Sequence, residues 1–234
     1  MRQFDSRKVS QAVGQATPGL LTLCLLSNCL TVQLSAQSAA AVDPAAVVTR
    51  AATVYKAAGS LEADFQQTIE DRMIGTFRSR GKLAQQGGDR FAMRFSDPSG
   101  EALVMDGTKF WVYTPSTTPG QVIRMAQPTG PGAPNLVAWL LDDPARRYTT
   151  RLVRSDSARG GSDVILLTPR DSTLPFREAT VTFGRRDGLP RRIEVIERSG
   201  NKRTLALSNV RSGRVLPAST FRFTVPAGVK IVDQ

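Results

Sequence analysis

The stretch that decides the fold is Arg90-Phe91-Ala92-Met93-Arg94-Phe95, in which the large apolar side chains Phe91, Met93 and Phe95 alternate with Ala92 and Arg94. A period of two puts successive side chains on opposite faces of an extended chain, so this segment is a strand with one apolar face. Outward from it the same alternation recurs. Val181 and Phe183 flank Thr182, Ile193 and Val195 flank Glu194, Leu205 and Leu207 flank Ala206, and Phe221, Phe223 and Val225 are separated by Arg222 and Thr224. Asp106-Gly107, Asp187-Gly188, Ser199-Gly200-Asn201 and Ser212-Gly213 carry the turn chemistry with which a meander reverses. From Leu61 onward about 11 such segments are expected.

Two segments break the strand rhythm. Between Val42 and Ala58, Val47, Val48, Ala51, Val54, Tyr55 and Ala58 recur at helical spacing, with Asp43-Pro44 as N-cap and first helical residue and Gly59 as the stop. Pro128 to Pro134 reads as a loop. It leads into a short helix over Asn135 to Leu141, apolar around nearly its whole circumference and ended by Asp142-Asp143-Pro144. The architecture expected is mainly β with an α lid. A single unclosed antiparallel β-barrel would be capped by the N-terminal helix and the short inserted helix, its large side chains facing what the helices cover.

The first 41 residues read differently. Arg2, Arg7 and Lys8 precede an apolar run from Leu20 to Leu34, followed by Ser35, Ala36, Ser38, Ala39, Ala40 and Ala41. This is the order of a secretory signal, and the run is too short and too polar to span a membrane. Residues 1–41 are therefore expected to be a cleaved signal peptide and 42–234 the working domain. Cys24 and Cys29 both fall inside the leader, so the mature chain has neither disulfide nor thiolate. Acylation at Cys29 is the competing reading, disfavoured by Asn28 at a position where Gly or Ala is usual.

The 234 residues contain no histidine, which excludes Ser-His-Asp and Cys-His nucleophiles, an imidazole base and His-bearing metal sites. The formal charge of +11, from 31 basic and 20 acidic residues, becomes +9 once the leader removes three basic residues and Asp5. The positive charge is scattered in pairs such as Arg146-Arg147, Arg185-Arg186 and Arg191-Arg192. It forms neither a run nor an aromatic-interleaved patch, so no nucleic acid is expected. A membrane-facing or partner-facing basic rim remains open.

Other motifs are bland. Ser79-Arg80-Gly81-Lys82 matches a penicillin-binding nucleophile pattern but lies in a strand, not at a helix start. Gly130-Pro131-Gly132 lacks an N–H where a phosphate cradle needs one. Glu178, Glu194 and Glu197 sit beside arginines and read as solvated ion pairs rather than a glycosidase pair. No catalytic residue, metal or cofactor is expected.

A series of colinear segments carries a specific resemblance: Phe65-Gln66-Gln67, Gly81-Lys82-Leu83, Arg90-Phe91, Asp97-Pro98, Val104-Met105-Asp106-Gly107 leading into Phe110-Trp111-Val112-Tyr113-Thr114-Pro115, Leu166-Leu167-Thr168-Pro169, and Phe221 through Val229. In order and spacing the chain resembles the LolA family of periplasmic outer-membrane lipoprotein carriers from about Val47 to Asp233. The resemblance implies a monomeric carrier that takes acylated lipoproteins, or related lipids, from an inner-membrane ABC transporter. It would shield their acyl chains across the periplasm and yield them to an outer-membrane acceptor. It implies a lipid-binding concave face of Phe65, Phe91, Met93, Phe95, Met105, Trp111, Val181, Phe183, Leu205, Phe221 and Phe223, and a lid carrying Val54, Tyr55, Leu136, Trp139 and Leu140. The family's lid-holding Arg, followed by Pro, stands a few residues before the strand that begins here at Arg90. The matching positions are Gly87 and Gly88, so that residue has no counterpart. The alternative is an envelope sensor or binding module of the same fold, taking lipid or an apolar peptide. Such sensors carry a further domain, and none is expected after Gln234.

Overall fold

The computed structural model describes residues 41–128 and 134–234. The expected leader, with Cys24 and Cys29, lies outside the described residues except for Ala41, as does most of the loop before Asn135.

The first helix, α1 (Pro44–Ala58), has the expected boundaries. The Asp43 carboxylate accepts from the Ala45 N–H at 2.9 Å, and Gly59, with φ 66°, turns the chain out of the helix. From there the chain runs up and down through β1 (Ser60–Asp71), β2 (Gly75–Gln86), β3 (Arg90–Asp97), β4 (Ser99–Asp106), β5 (Lys109–Tyr113) and β6 (Gln121–Ala126). Two short helices follow, α2 (Leu136–Leu140) and α3 (Pro144–Arg147). A second meander is formed by β7 (Tyr148–Ser155), β8 (Ser162–Pro169), β9 (Phe176–Gly184), β10 (Pro190–Glu197) and β11 (Lys202–Ser212). Pairing of β1 with β11 joins the two meanders, and a short β12 (Lys230–Asp233) adds in parallel to β6. The sheet order is β12-β6-β5-β4-β3-β2-β1-β11-β10-β9-β8-β7, with β12 and β7 as unjoined edges. This is the unclosed barrel that the alternation implied.

Curvature comes from bulges. The register slips between Glu62 and Asp64 on β1, between Arg80 and Gly81 on β2 and at four other places, each adding local twist. At Gly81 the neighbouring strand approaches so closely that a Cβ would stand 2.0 Å from the Arg94 carbonyl oxygen, so only glycine fits.

The two faces have separate cores. One continuous cluster fills the concave side and includes residues of α1 and α2. A smaller one on the convex side gathers Ala84, Ala92, Ala102, Val104, Leu216 and Phe221, with Trp111 and Phe223 against it. The C-terminal stretch differs from its expectation. Phe221 to Val225 is not a strand: Ala218–Phe221 forms a 3-10 turn, and the chain then crosses the convex face as a strap before β12. Ser212-Gly213 is accordingly an exit from the sheet, not a hairpin. The strap's backbone finds a partner in Arg94, whose Nη2 donates to the carbonyls of Thr220 (3.3 Å) and Arg222 (2.8 Å).

Ser79 and Lys82 lie in β2, with Lys82 ion-paired to Asp64 at 3.0 Å, so the S-x-x-K match has no helix to work from. Glu194 is paired as expected, with Arg192 at 2.7 Å and Lys202 at 3.4 Å. Glu178 and Glu197 have no ion pair among the described residues. No helix among the described residues is long and apolar enough to cross a membrane.

Candidate functional site

The concave face is assembled by strand parity. On β3, Phe91 and Met93 turn inward while Ala92 between them turns outward; β4 sends in Leu103 and Met105 and sends out Ala102 and Val104. β1 contributes Leu61, Ala63 and Phe65, β9 Val181 and Phe183, β10 Ile193 and Val195, and β11 Leu205 and Leu207. Phe65 meets Phe95 edge-on with ring centroids 5.2 Å apart. The helices close over this floor. Val48 and Ala51 of α1 are buried against it, with Val54 and Tyr55 beside them. Leu136, Val137, Trp139 and Leu140 of α2 are all buried, as a helix apolar all round requires, and Trp139 packs on Phe176 at 5.3 Å.

Phe65, Phe91, Met93, Phe95, Met105, Val181, Phe183 and Leu205 thus share one cluster with the lid residues Val54, Tyr55, Leu136, Trp139 and Leu140. Three expected concave residues do not. Trp111, Phe221 and Phe223 lie on the convex face, where Trp111 and Phe223 stack at 5.6 Å. Parity explains the first: Phe110 and Val112 face inward, so Trp111 between them faces out. The other two belong to the strap, which Ala84, Ala92 and Ala102 allow to lie close to the sheet.

Among α1, α2, α3 and the end of β2 lies an open cavity of about 680 Å³, while Phe65, Phe91, Met93 and Phe183 of the floor are packed in the core and do not line it. Met105 lines its inner wall, Ala52, Thr53 and Lys56 of α1 one side, and Ala138, Trp139 and Leu141 the other. Gly87 and Gly88 stand at its edge, where a Cβ on Gly88 would meet nothing within 4 Å. With glycine at both positions, no side chain there bridges to the lid.

A different set of residues holds it. Gln85, 2% exposed, occupies an inward position on β2, two residues after Leu83. Its Oε1 accepts from the Tyr55 hydroxyl of α1 and from Asn135 Nδ2 at 2.8 Å. Asn135 Oδ1 in turn accepts from the Ala138 N–H at 3.1 Å, capping α2. One carbonyl oxygen on the sheet thus ties down both lid helices. Burial pushes the Tyr55 phenol well above its usual pKa, outweighing the opposite pull of its Asn135 and Gln85 hydrogen bonds, so it stays protonated and a donor. Neither Gln85 nor Asn135 was singled out by sequence reasoning. The available signal was the polar residue at an inward-facing strand position, which breaks the alternation begun by Leu83.

An open, curved sheet with a helical lid over a soft apolar floor is the architecture of a protein that encloses apolar molecules. Residues 56–224 match the family described as "Outer membrane lipoprotein carrier protein LolA", and the chain belongs to that family. It is 31% identical over 176 residues to an outer-membrane lipoprotein carrier protein of Xanthomonas campestris pv. campestris, covering 74% of this chain and 81% of that one. Identity to the protein of that name from Halorhodospira halophila is 27% over 180 residues, 76% of this chain and 82% of the other. Among solved structures, an uncharacterized conserved protein from Thermus thermophilus shares the fold, with a TM-score of 0.51 at 13% identity, covering 81% of this chain and 98% of that chain.

Proposed function

We infer that this protein carries the acyl chains of lipoproteins, or of related lipids, through the aqueous periplasm, holding them on the concave face beneath α1 and α2. In this reading residues 1–41 are removed on export and the chain works as a monomer. An inner-membrane ABC transporter loads it and an outer-membrane acceptor unloads it. It performs no covalent chemistry.

The observation that carries the reading is the concave apolar floor covered by helices that are tied to the sheet through one glutamine, with a cavity of about 680 Å³ open among those helices. That volume lies in the range of small-molecule sites, roughly 300–1,000 Å³. Burial of hydrocarbon is worth about 0.8 kcal/mol per CH₂, so a sixteen-carbon chain leaving a membrane needs a refuge worth about 12 kcal/mol. Helices that lift would enlarge the cavity. Met93, Met105 and the phenylalanines repack more readily than a tight aliphatic core, which suits a host that must also release its guest. The tie costs little to undo, since each hydrogen bond is worth roughly 0.5–1.5 kcal/mol net. Because its three side chains are neutral, acyl cargo displaces no ion pair.

Native mass spectrometry and lipid extraction of protein isolated from the cell envelope test this. Stoichiometric acylated protein or lipid is the expected result. Bare protein, together with failure to release lipoproteins from spheroplasts, overturns it.

A further inference from the structure

Six large apolar side chains are markedly exposed among the described residues, and three of them sit together at one hairpin: Met73 (94%), Ile74 (72%) and Phe77 (49%). The hairpin joins β1 to β2 and is open on one side only, since β1 stays paired with β11 as far as Glu70. Pairing of β2 with β3 ends at Arg80 and Asp97, so Gly75 to Ser79 pair with β1 alone. The turn is held in shape. Asp71 Oδ1 accepts from the N–H groups of Met73 (2.8 Å) and Ile74 (3.1 Å), and Asp71 Oδ2 accepts from Asn201 Nδ2 at 2.6 Å. These bonds occupy the turn's polar groups and leave the Met73 and Ile74 side chains projecting outward. Flanking them are Arg72 and Arg78, both exposed and neither within ion-pairing distance of a carboxylate among the described residues.

We propose that this hairpin tip is a membrane-contact element that seats Met73, Ile74 and Phe77 among the headgroups of a bilayer containing anionic lipid, with Arg72 and Arg78 against the phosphates. Three apolar side chains on one turn are too few for a stable protein interface, which takes roughly 800 Å² from each partner. A bilayer surface asks for less: a few inserted apolar groups and cations at headgroup level. The unpaired arginines supply the charge complementarity that a second copy of this basic chain would lack.

The tip lies at the far end of β1 and β2 from the cavity. Ser60 and Gln86 pair beside the lid and Asp71 and Gly75 at the tip, so about 35 Å of strand separates them. Seating the hairpin therefore leaves the lid helices free, and the contact is separable from cargo binding.

The test is sedimentation of the exported protein with vesicles of phosphatidylethanolamine containing phosphatidylglycerol, or of phosphatidylcholine alone. Binding of a fluorescent apolar dye in the cavity is followed on the same samples. The wild type is expected to partition onto the anionic vesicles at low salt and to leave them as salt rises. Met73→Asp with Ile74→Asp should lower partitioning about tenfold or more, and Arg78→Ala by about threefold with a flatter salt dependence. Dye binding should be unchanged in both variants. Wild-type protein left in the supernatant, equal partitioning onto phosphatidylcholine, or undiminished binding of the double variant would each overturn the proposal. Self-association abolished by the double variant without any vesicle binding would overturn it in favour of a second copy as the occupant. A wild type that partitions as expected, with both variants impaired, but that binds no dye would count against the carrier reading and leave the hairpin proposal standing.

Discussion

The two faces of the sheet are built from the same strands and closed in opposite ways. On the concave side the inward positions hold long or aromatic side chains, among them Phe65, Phe91, Met93, Met105 and Phe183, and the cover is a pair of helices. On the convex side the corresponding positions of β2, β3 and β4 hold Ala84, Ala92, Ala102 and Val104, and the cover is the chain's own C-terminal strap. Two adjacent glutamines at the end of β2 make the contrast explicit. Gln85 points inward and holds the lid; Gln86 accepts from the Leu216 N–H at 3.0 Å and holds the strap. Small outward residues let a covering backbone settle directly on the sheet, whereas the large inward ones are covered by helix side chains, and a cavity is left among the helices. The difference separates a permanent closure from a removable one.

The convex closure should break first and hardest. Phe221, buried in the strap, reduced to alanine in Phe221→Ala is expected to cost about 3–5 kcal/mol in denaturant unfolding, while the folded fraction binds apolar dye as before. A similar loss of dye affinity would mean that the faces are not independent. On the concave side, Gln85→Leu leaves the Tyr55 hydroxyl and the Asn135 amide without their acceptor. It should cost roughly 1–3 kcal/mol. Amide exchange should quicken in α1 and α2 while the strap remains protected. Uniform acceleration across the chain would show that Gln85 supports the whole fold rather than the lid.

Met93→Trp tests the adaptability of the floor. Overfilling a buried position usually costs about 1–3 kcal/mol, and because Met93 is packed in the concave core the strain should fall on the contacts between floor and helices. Dye affinity should fall about tenfold, equivalent to about 1.4 kcal/mol, with stability changed by less than in Phe221→Ala.

The smallest effect is the acid sensitivity that Asp106 gives the convex side. Burial pushes the Asp106 carboxyl up, but hydrogen bonds from the Lys109 N–H, Trp111 Nε1 and the Thr108 N–H and hydroxyl outweigh it and bring the group to about 2. Because the folded value lies below the ordinary carboxylate value near 4, its contribution is complete above that pH and disappears as pH falls toward 2. After solvent screening it is about 1 kcal/mol. Asp106→Asn should flatten the Trp111 fluorescence change between pH 4 and 2 and leave amide exchange in α1 and α2 as in the wild type, since the Tyr55–Gln85–Asn135 tie does not involve it.

Much of this was legible in the chain itself. Period-two alternation in Phe91 to Phe95, Val181 to Phe183 and Leu205 to Leu207 identifies half-buried strands, because side-chain direction in an extended chain depends only on position. Asp43, Pro44 and Gly59 bound α1 through local hydrogen bonding and backbone preference, which need no tertiary context. The lid helix over Leu136 to Leu140 could be read as buried because it has no polar face. Alternation does not say which face is which, however, and Trp111, expected inward, has neighbours Phe110 and Val112 that occupy that side. Phe221, Phe223 and Val225 alternate like a strand yet form a strap, since a strand also needs a sheet edge to pair with and this segment crosses the convex face, where Phe221 and Phe223 pack on Ala84, Ala92, Ala102 and Trp111.

The sequence by itself thus determined α1, α2, most of the strands and the class of open barrel, all of which follow from local conformational preference and the spacing of apolar residues. Only the tertiary structure decided which face receives the helices, where the C-terminal segment lies, and that Tyr55, Gln85 and Asn135 converge on one point. These three residues are separated by 30 and 50 positions in the chain, and their meeting depends on sheet curvature and register, quantities set by the packing of the whole molecule.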